Sequence, residues 1–181
     1  MKVKNAIKNA CSLLELNSLA EELEGISENS SVLSADLAAM RLCAEMVVNE
    51  VAGEYFGLTD EFKTYTDGSI EFSKFPKQVF SVLGVYLNGV PVKFKLLGEK
   101  LITTPGNIKI KYTYTYEALK ITSEVEFPEG FSRILGYGIA AEYCLIKNMF
   151  DEAVMWDKKY RDAVRSASSG RRRDIARRRW M

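Results

Sequence analysis

The side chains best suited to chemistry are scarce in this chain, or stand where they cannot cooperate. Histidine is absent, which removes the commonest general base and the commonest imidazole metal ligand together. Cys11, Cys43 and Cys144 lie far apart, each inside an apolar helical pattern, and none shares metal-ligand spacing with another. They read as buried free thiols. Carboxylates gather at Glu21-Glu22-Leu23-Glu24, Asp60-Glu61 and Asp151-Glu152. The first group suits a solvated helical face and the second a turn. The third suits a helix start, where negative charge complements the helix dipole. A phosphate loop would need a glycine-rich turn ending in lysine beside serine or threonine, and neither Gly84–Gly89 nor Gly130–Gly138 ends that way. No Gly-x-Ser-x-Gly elbow occurs, and without histidine a serine triad cannot be completed. The expectation is a protein with no catalytic residues, no bound metal and no cofactor.

The unusual chemistry is at the end of the chain. From Arg161 to Met181 eight arginines stand against Asp162 and Asp174, so that stretch carries +6 and the preceding residues −5 of the formal net charge of +1. An acidic body with a basic arm suggests an interaction segment. Three readings of Arg171-Arg172-Arg173-Asp174-Ile175-Ala176-Arg177-Arg178-Arg179-Trp180 compete. It is a solvated tail, an arm that neutralises nucleic-acid phosphate, or a docking peptide for an acidic, grooved protein. Arginine and tryptophan dominate interface energetics, and Asp174 and Ile175 interrupt the basic run in a way a purely electrostatic arm does not need. The docking residues are therefore taken as Arg171, Arg172, Arg173, Ile175, Arg177, Arg178, Arg179 and Trp180.

Around these residues the chain reads as α+β: a helical bundle from N- and C-terminal helices, an inserted antiparallel β-rich region, and an extended basic tail. Its 47% hydrophobic content argues against wholesale disorder. Ala6, Ile7, Ala10, Leu13 and Leu14 place a first helix over Val3–Leu16, with a short helical turn within Asn17–Glu28. Leu33, Leu37, Met40, Ala44, Val47, Val51 and Tyr55 recur at spacings of four and three, and Gly57 follows as a left-handed cap. From Phe62 to Thr122 the period changes to two. Asp67-Gly68 and Asn88-Gly89 each read as a hairpin turn, and Pro91 and Pro105 suit edge strands or strand starts. Ile108, Ile110, Tyr112, Tyr114 and Tyr116 fall on one strand face, and Lys109, Lys111, Thr113 and Thr115 on the other. That predicts a one-sided sheet of four to six strands, with tyrosines packed against it more readily than stacked on bases.

Helical spacing resumes after Pro128-Glu129-Gly130. Phe131, Leu135, Ile139, Tyr143 and Ile146 form one stripe with Ile134, Gly138, Ala141 and Leu145 alongside. Gly136 and Gly138 predict close approach of a neighbouring helix. A tight connection over Lys147–Phe150, capped by Asp151, leads to a last helix carrying Ala153, Trp156, Tyr160, Ala163 and Ala167. The segments are 1–60, 61–127, 128–169 and 170–181. No apolar run approaches the roughly 20 residues of a membrane span, and Met1-Lys2-Val3-Lys4 opens no signal-peptide core. The expected setting is a cytoplasm.

The stretch PEGFSRILGYGIAAEYCLIKNMFDEAVMWDKKYRDAVRSAS, from Pro128 to Ser168, resembles phage head–tail connector proteins of the adaptor type, the podovirus tail tubular protein A kind among them. The resemblance lies in a helix rich in small and aromatic residues (Ile134–Ile146), a following helix opened by Phe150–Val154, and an arginine-rich end with a late tryptophan (Arg171–Trp180). It extends over residues 60–181 and more loosely over the N-terminal helices. It implies a non-enzymatic virion protein at the head–tail junction, forming a ring of about twelve copies under the portal protein. The ring extends the DNA channel, lets DNA pass without sequence-specific binding, and carries downstream tail or nozzle proteins. The C-terminal segment engages the portal. The alternatives are a nucleic-acid-binding phage accessory protein using the arginine-rich segment, or another neck or tail completion protein.

Overall fold

The computed structural model describes residues 1–26 and 33–169. The fold is α+β, with an antiparallel β region inserted between helices. Two compact units divide the chain. One is Met1–Val48 with the chain from Ala118 onward, and the other is Asn49–Glu117.

The helical unit comprises α1 (Val3–Leu13), α2 (Asn17–Glu24), most of α3 (Ala35–Glu50), α4 (Phe131–Ile146) and α5 (Phe150–Ser169). Helix α1 stops three residues earlier than its apolar pattern. Glu15 takes φ 58°, and the Leu16 amide donates to the Cys11 carbonyl at 2.9 Å, a Schellman closure built without glycine. Ser34 caps α3, its hydroxyl accepting the Leu37 amide at 3.3 Å. Helix α4 is central. A methyl group on Gly136 would lie 2.8 Å from Asn9 Cβ on α1, and one on Gly138 would lie 2.7 Å from Val47 Cγ1 on α3 and 3.0 Å from the Tyr160 ring on α5. The two glycines thus let three helices reach the α4 backbone, which offsets their roughly 1 kcal/mol cost in helix propensity. Along α5 the buried residues are Ala153, Trp156, Tyr160 and Val164, so the stripe passes through Val164 where spacing had pointed to Ala163. Asp151 does not cap α5. The helix already begins at Phe150, and Asp151 and Glu152 occupy its first turn.

Residues 118–127 belong with the helices, although their composition had placed them with the strands. Leu119, Ile121, Val125 and Phe127 are buried. The carbonyls of Ile121 and Ser123 accept the Lys4 and Val3 amides at 2.9 and 3.0 Å, satisfying donors that the first turn of α1 leaves free. Arg41 Nη1 donates to the Leu119 carbonyl at 3.0 Å. A connector that serves as a helix cap reads as irregular sequence.

The β unit opens with a π-helical turn, Val51–Phe56, that continues α3 and ends on Gly57 at φ 53°, the left-handed cap its position implied. Seven strands follow: β1 (Thr59–Thr66), β2 (Ser69–Glu71), β3 (Gln78–Leu87), β4 (Val90–Val92), β5 (Lys95–Leu97), β6 (Lys100–Ile102) and β7 (Gly106–Thr115). They form two antiparallel sheets, β1-β7-β3-β4 and β2-β6-β5, where one sheet of four to six strands was expected. Asn88-Gly89 is a true hairpin turn, with both residues at positive φ and Leu87 paired to Val90. Asp67-Gly68 is not. Strands β1 and β2 pair with β7 and β6 respectively, so this turn switches sheets. It is held by the Thr66 hydroxyl, which accepts the Gly68 amide and donates to the Ser69 carbonyl.

Strand β7 alternates as its sequence does. Ile108, Ile110, Tyr112 and Tyr114 are buried in one cluster with Ile70, Phe75, Val82, Val85 and Leu101. Phe75 meets Phe62 and Tyr112 at ring distances of 4.9 and 5.1 Å. Its last turn of pairing is finished by a side chain. Asn49 Nδ2 donates to the Tyr116 carbonyl at 2.9 Å, and Asn49 Oδ1 accepts the Tyr116 amide at 2.8 Å.

Candidate docking surfaces

Arg171, Arg172, Arg173, Ile175, Arg177, Arg178, Arg179 and Trp180 lie outside the described residues. The surfaces that the described residues do present were not singled out by sequence reasoning, and they differ between the units.

On the helical unit the end of α4 and the start of α5 carry apolar side chains into solvent. Leu145 is 47% exposed, Ile146 52%, Phe150 60% and Val154 70%, with Met149 and Met155 also exposed. Local geometry sets them there. Asn148 takes φ 59° and the Met149 amide donates to the Cys144 carbonyl at 2.8 Å, so the chain reverses in three residues and α5 starts on a phenylalanine. Ile146 and Leu145, counted by spacing with the α4 core stripe, are therefore surface residues. An apolar band wider than one helix can bury was the available signal. Leu42 and Met46 are a second exposed pair on α3. Beside the turn, Lys147 Nζ pairs with Asp36 Oδ1 at 2.6 Å. The hydrogen bond from Lys147 holds the Asp36 carboxyl below its ordinary range, and the same bond raises the lysine.

On the β unit one strand carries two irregularities. Pairing of β3 with β7 shifts between Val79 and Ser81 and again between Val82 and Gly84, which makes Phe80 and Leu83 inserted bulge residues. Core positions on β3 thus fall at Val79, Val82, Val85 and Leu87 and do not alternate. Phe80 and Leu83 are 53% and 51% exposed. The Phe80 ring lies against Gly53 of the π-helix, where a methyl group would come within 3.0 Å.

Strand β1 is an edge whose outward groups are partly blocked by its own side chains. Asp60 Oδ1 accepts the Glu61 amide at 2.8 Å, and the Thr64 hydroxyl donates to the Tyr65 carbonyl at 3.3 Å. Such capping discourages addition of a further strand.

The thiols are buried, as their apolar surroundings predicted. Burial pushes all three upward, Cys43 to about 12 with the Glu142 carboxylate adding to the effect, so none is a thiolate near neutral pH. Among the described residues no group of three or more Cys, Asp or Glu could hold a metal ion, and no helix is long and apolar enough to cross a membrane. No protein-family model matches the chain, and no curated protein matches it significantly.

Proposed function

We propose that the protein is a structural, non-enzymatic adaptor of a tailed phage particle, assembling as a homo-oligomeric ring beneath the portal at the head–tail junction. The observation that carries this reading is the exposed apolar set Leu145, Ile146, Met149, Phe150, Val154 and Met155, gathered at one helix–helix turn. Clustered exposed apolar side chains of that kind mark a surface for interaction with another protein. Closed rings of identical subunits are a common way to cover such surfaces repeatedly. The resemblance of Pro128–Ser168 and of the arginine-rich end to head–tail connectors supplies the setting.

In this reading the helical unit supplies contacts between copies, and the arginine-rich segment with Ile175 and Trp180 docks on acidic grooves of the portal. Arginine–carboxylate pairs are among the strongest hydrogen-bonded contacts, and a ring multiplies weak contacts through avidity. Downstream tail or nozzle proteins attach to the opposite side, and DNA passes without sequence-specific contact. No residue has a catalytic role.

The test is to mix purified protein with its candidate portal and image the product by electron microscopy. The expected result is a ring stacked coaxially on the portal, lost when Arg171–Met181 is deleted although the truncated subunit stays folded. Monomers that ignore the portal, or a truncated protein that binds it normally, overturn the assignment or the docking role respectively.

A further inference from the structure

The face of the four-stranded sheet opposite the Tyr112–Tyr114 core is half closed and half open. Near Ser81 and Thr113 it is closed. The Phe80 ring lies on Gly53, and Thr113 is 7% exposed. Beyond that, cross-strand rows open to solvent. Glu61 stands opposite Lys111, Lys63 opposite Lys109, and Tyr65 opposite Asn107 across β1 and β7. Tyr86 extends the second row, opposite Lys109 across β3 and β7. The hairpin tip Asn88 lies with them in a depression of about 530 Å³ that Lys63, Tyr65, Tyr86, Asn107 and Lys109 also line.

The charges on this face do not balance. Glu61 pairs with Lys109 at 3.3 Å, while Lys63 and Lys111 have no acidic partner within ion-pair distance among the described residues. Lys63 directly faces Lys109, and like charges directly opposite one another destabilise a sheet. A bound anion would relieve that repulsion. The aromatic rings are placed to add to such binding. Tyr65 is 69% exposed. The Tyr86 ring folds down over Gly84, where a methyl group would lie 3.2 Å from its Cε2 and Oη, and the Lys109 ammonium sits 5.6 Å from its centroid.

We propose that this face binds single-stranded nucleic acid. Lys63, Lys109 and Lys111 meet phosphates, Tyr65 and Tyr86 stack on unpaired bases, and the Asn88 and Asn107 amides hydrogen-bond base edges. The exposed Tyr65 ring, the half-buried Tyr86 ring beside it, and lysines of which Lys63 and Lys111 have no acidic partner among the described residues supply the two elements of a sequence-tolerant single-strand platform. An acidic protein would need the lysines but not the flat aromatic surface, and duplex DNA hides the base faces that the rings would meet. The site uses no residue of the arginine-rich segment and does not depend on ring formation.

The test is fluorescence anisotropy of the full chain with a labelled oligothymidylate of about twelve nucleotides and a duplex of the same length. Tyr65→Ala is expected to weaken oligothymidylate binding about tenfold, with Tyr65→Phe retaining it and duplex affinity unchanged. Lys63→Gln with Lys111→Gln should reduce the slope of log affinity against log salt by about 1.4, near 0.7 per lost phosphate contact. The arginine-rich segment is present in every variant, and glutamine replaces its six arginines from Arg171 to Arg179 in the parent and in each variant, which removes its phosphate contacts so that the comparison reads the sheet face alone. Thermal melting by circular dichroism checks that each variant is folded. Oligothymidylate that fails to bind the parent chain, folded variants that bind it as the parent does, or a Tyr65→Ala loss that is equal on duplex would each overturn the proposal. None of those outcomes bears on whether the protein forms a ring on the portal.

Discussion

The two units bury comparable apolar groups yet leave different surfaces behind. In the helical unit, Gly136 and Gly138 admit neighbouring helices to the backbone of α4, and burial is complete along the middle of that helix but fails at its end. The remainder, Leu145 to Met155, is apolar and exposed. On the paired strands β1 and β7 the pleat sorts side chains by face. Isoleucine and tyrosine go inward, and lysine, tyrosine and asparagine go outward. The end of α4 and the start of α5 expose hydrocarbon, whereas the β1–β7 face of the sheet exposes charge and ring faces, with the exposed apolar residues of the β unit, Phe80 and Leu83 among them, lying elsewhere on its strands. The first invites another protein and the second a polar ligand.

The largest effect is expected when the charge of each surface is altered and assembly is followed. Ile146→Lys with Val154→Lys should convert the proposed ring to monomer in sedimentation velocity, while Lys63→Gln with Lys111→Gln should leave assembly unchanged. If the β-face pair dissolves the oligomer and the helical pair does not, the roles are reversed. Next in size are core deletions measured by urea denaturation. Tyr112→Ala should cost about 3–5 kcal/mol and Leu135→Ala about 2–5 kcal/mol, since both side chains are fully buried.

A smaller loss separates backbone satisfaction from packing. Asn49→Ala removes both hydrogen bonds to Tyr116 and should cost about 2 kcal/mol, because stranded backbone groups carry a desolvation penalty. Asn49→Asp keeps the acceptor for the Tyr116 amide but loses the donor to its carbonyl, and should fall between.

The smallest effect is electrostatic and belongs to the helical unit. Asp36 is lowered from 3.8 by Lys147, and Glu24 from 4.5 by Lys8 and Lys4. Groups depressed on folding contribute stability that is fully present above their ordinary values and is lost as pH falls through the lowered ones. Stability should therefore decline below about pH 4.5, and Asp36→Asn should remove part of that decline. An acid limb identical in the variant would show that the pair contributes nothing measurable, as many exposed pairs do not.

Where one physical rule governed an element, the sequence was readable. The nine-residue alternation ending in Tyr116, the Asn88-Gly89 turn, the α3 stripe with Gly57 behind it, and the small residues of α4 all appear where their patterns placed them. Readability failed where two rules compete. Strand β3 carries Val79, Val82 and Val85 at intervals of three because two bulges intervene, and its sequence Gln-Val-Phe-Ser-Val-Leu-Gly-Val matches neither period. Residues 118–127 contain alternating apolar side chains, but their carbonyls cap α1. For the surfaces, Phe150 and Ile146 look like core residues in one dimension, and only the turn at Asn148 turns them outward.

By itself, then, the sequence determined the alternation of helix and strand, the buried thiols, the inward tyrosines and the basic end, because each depends on near neighbours in the chain. The tertiary structure alone decided which strands pair, that Asp67-Gly68 switches sheets, which apolar residues are left over, and that Lys63, Lys109, Tyr65 and Tyr86 share one face. Those depend on register between strands whose partners are far apart in the chain, Lys63 with Lys109 and Tyr86 with Lys109 among them, and on which helix covers which, and no local pattern encodes either.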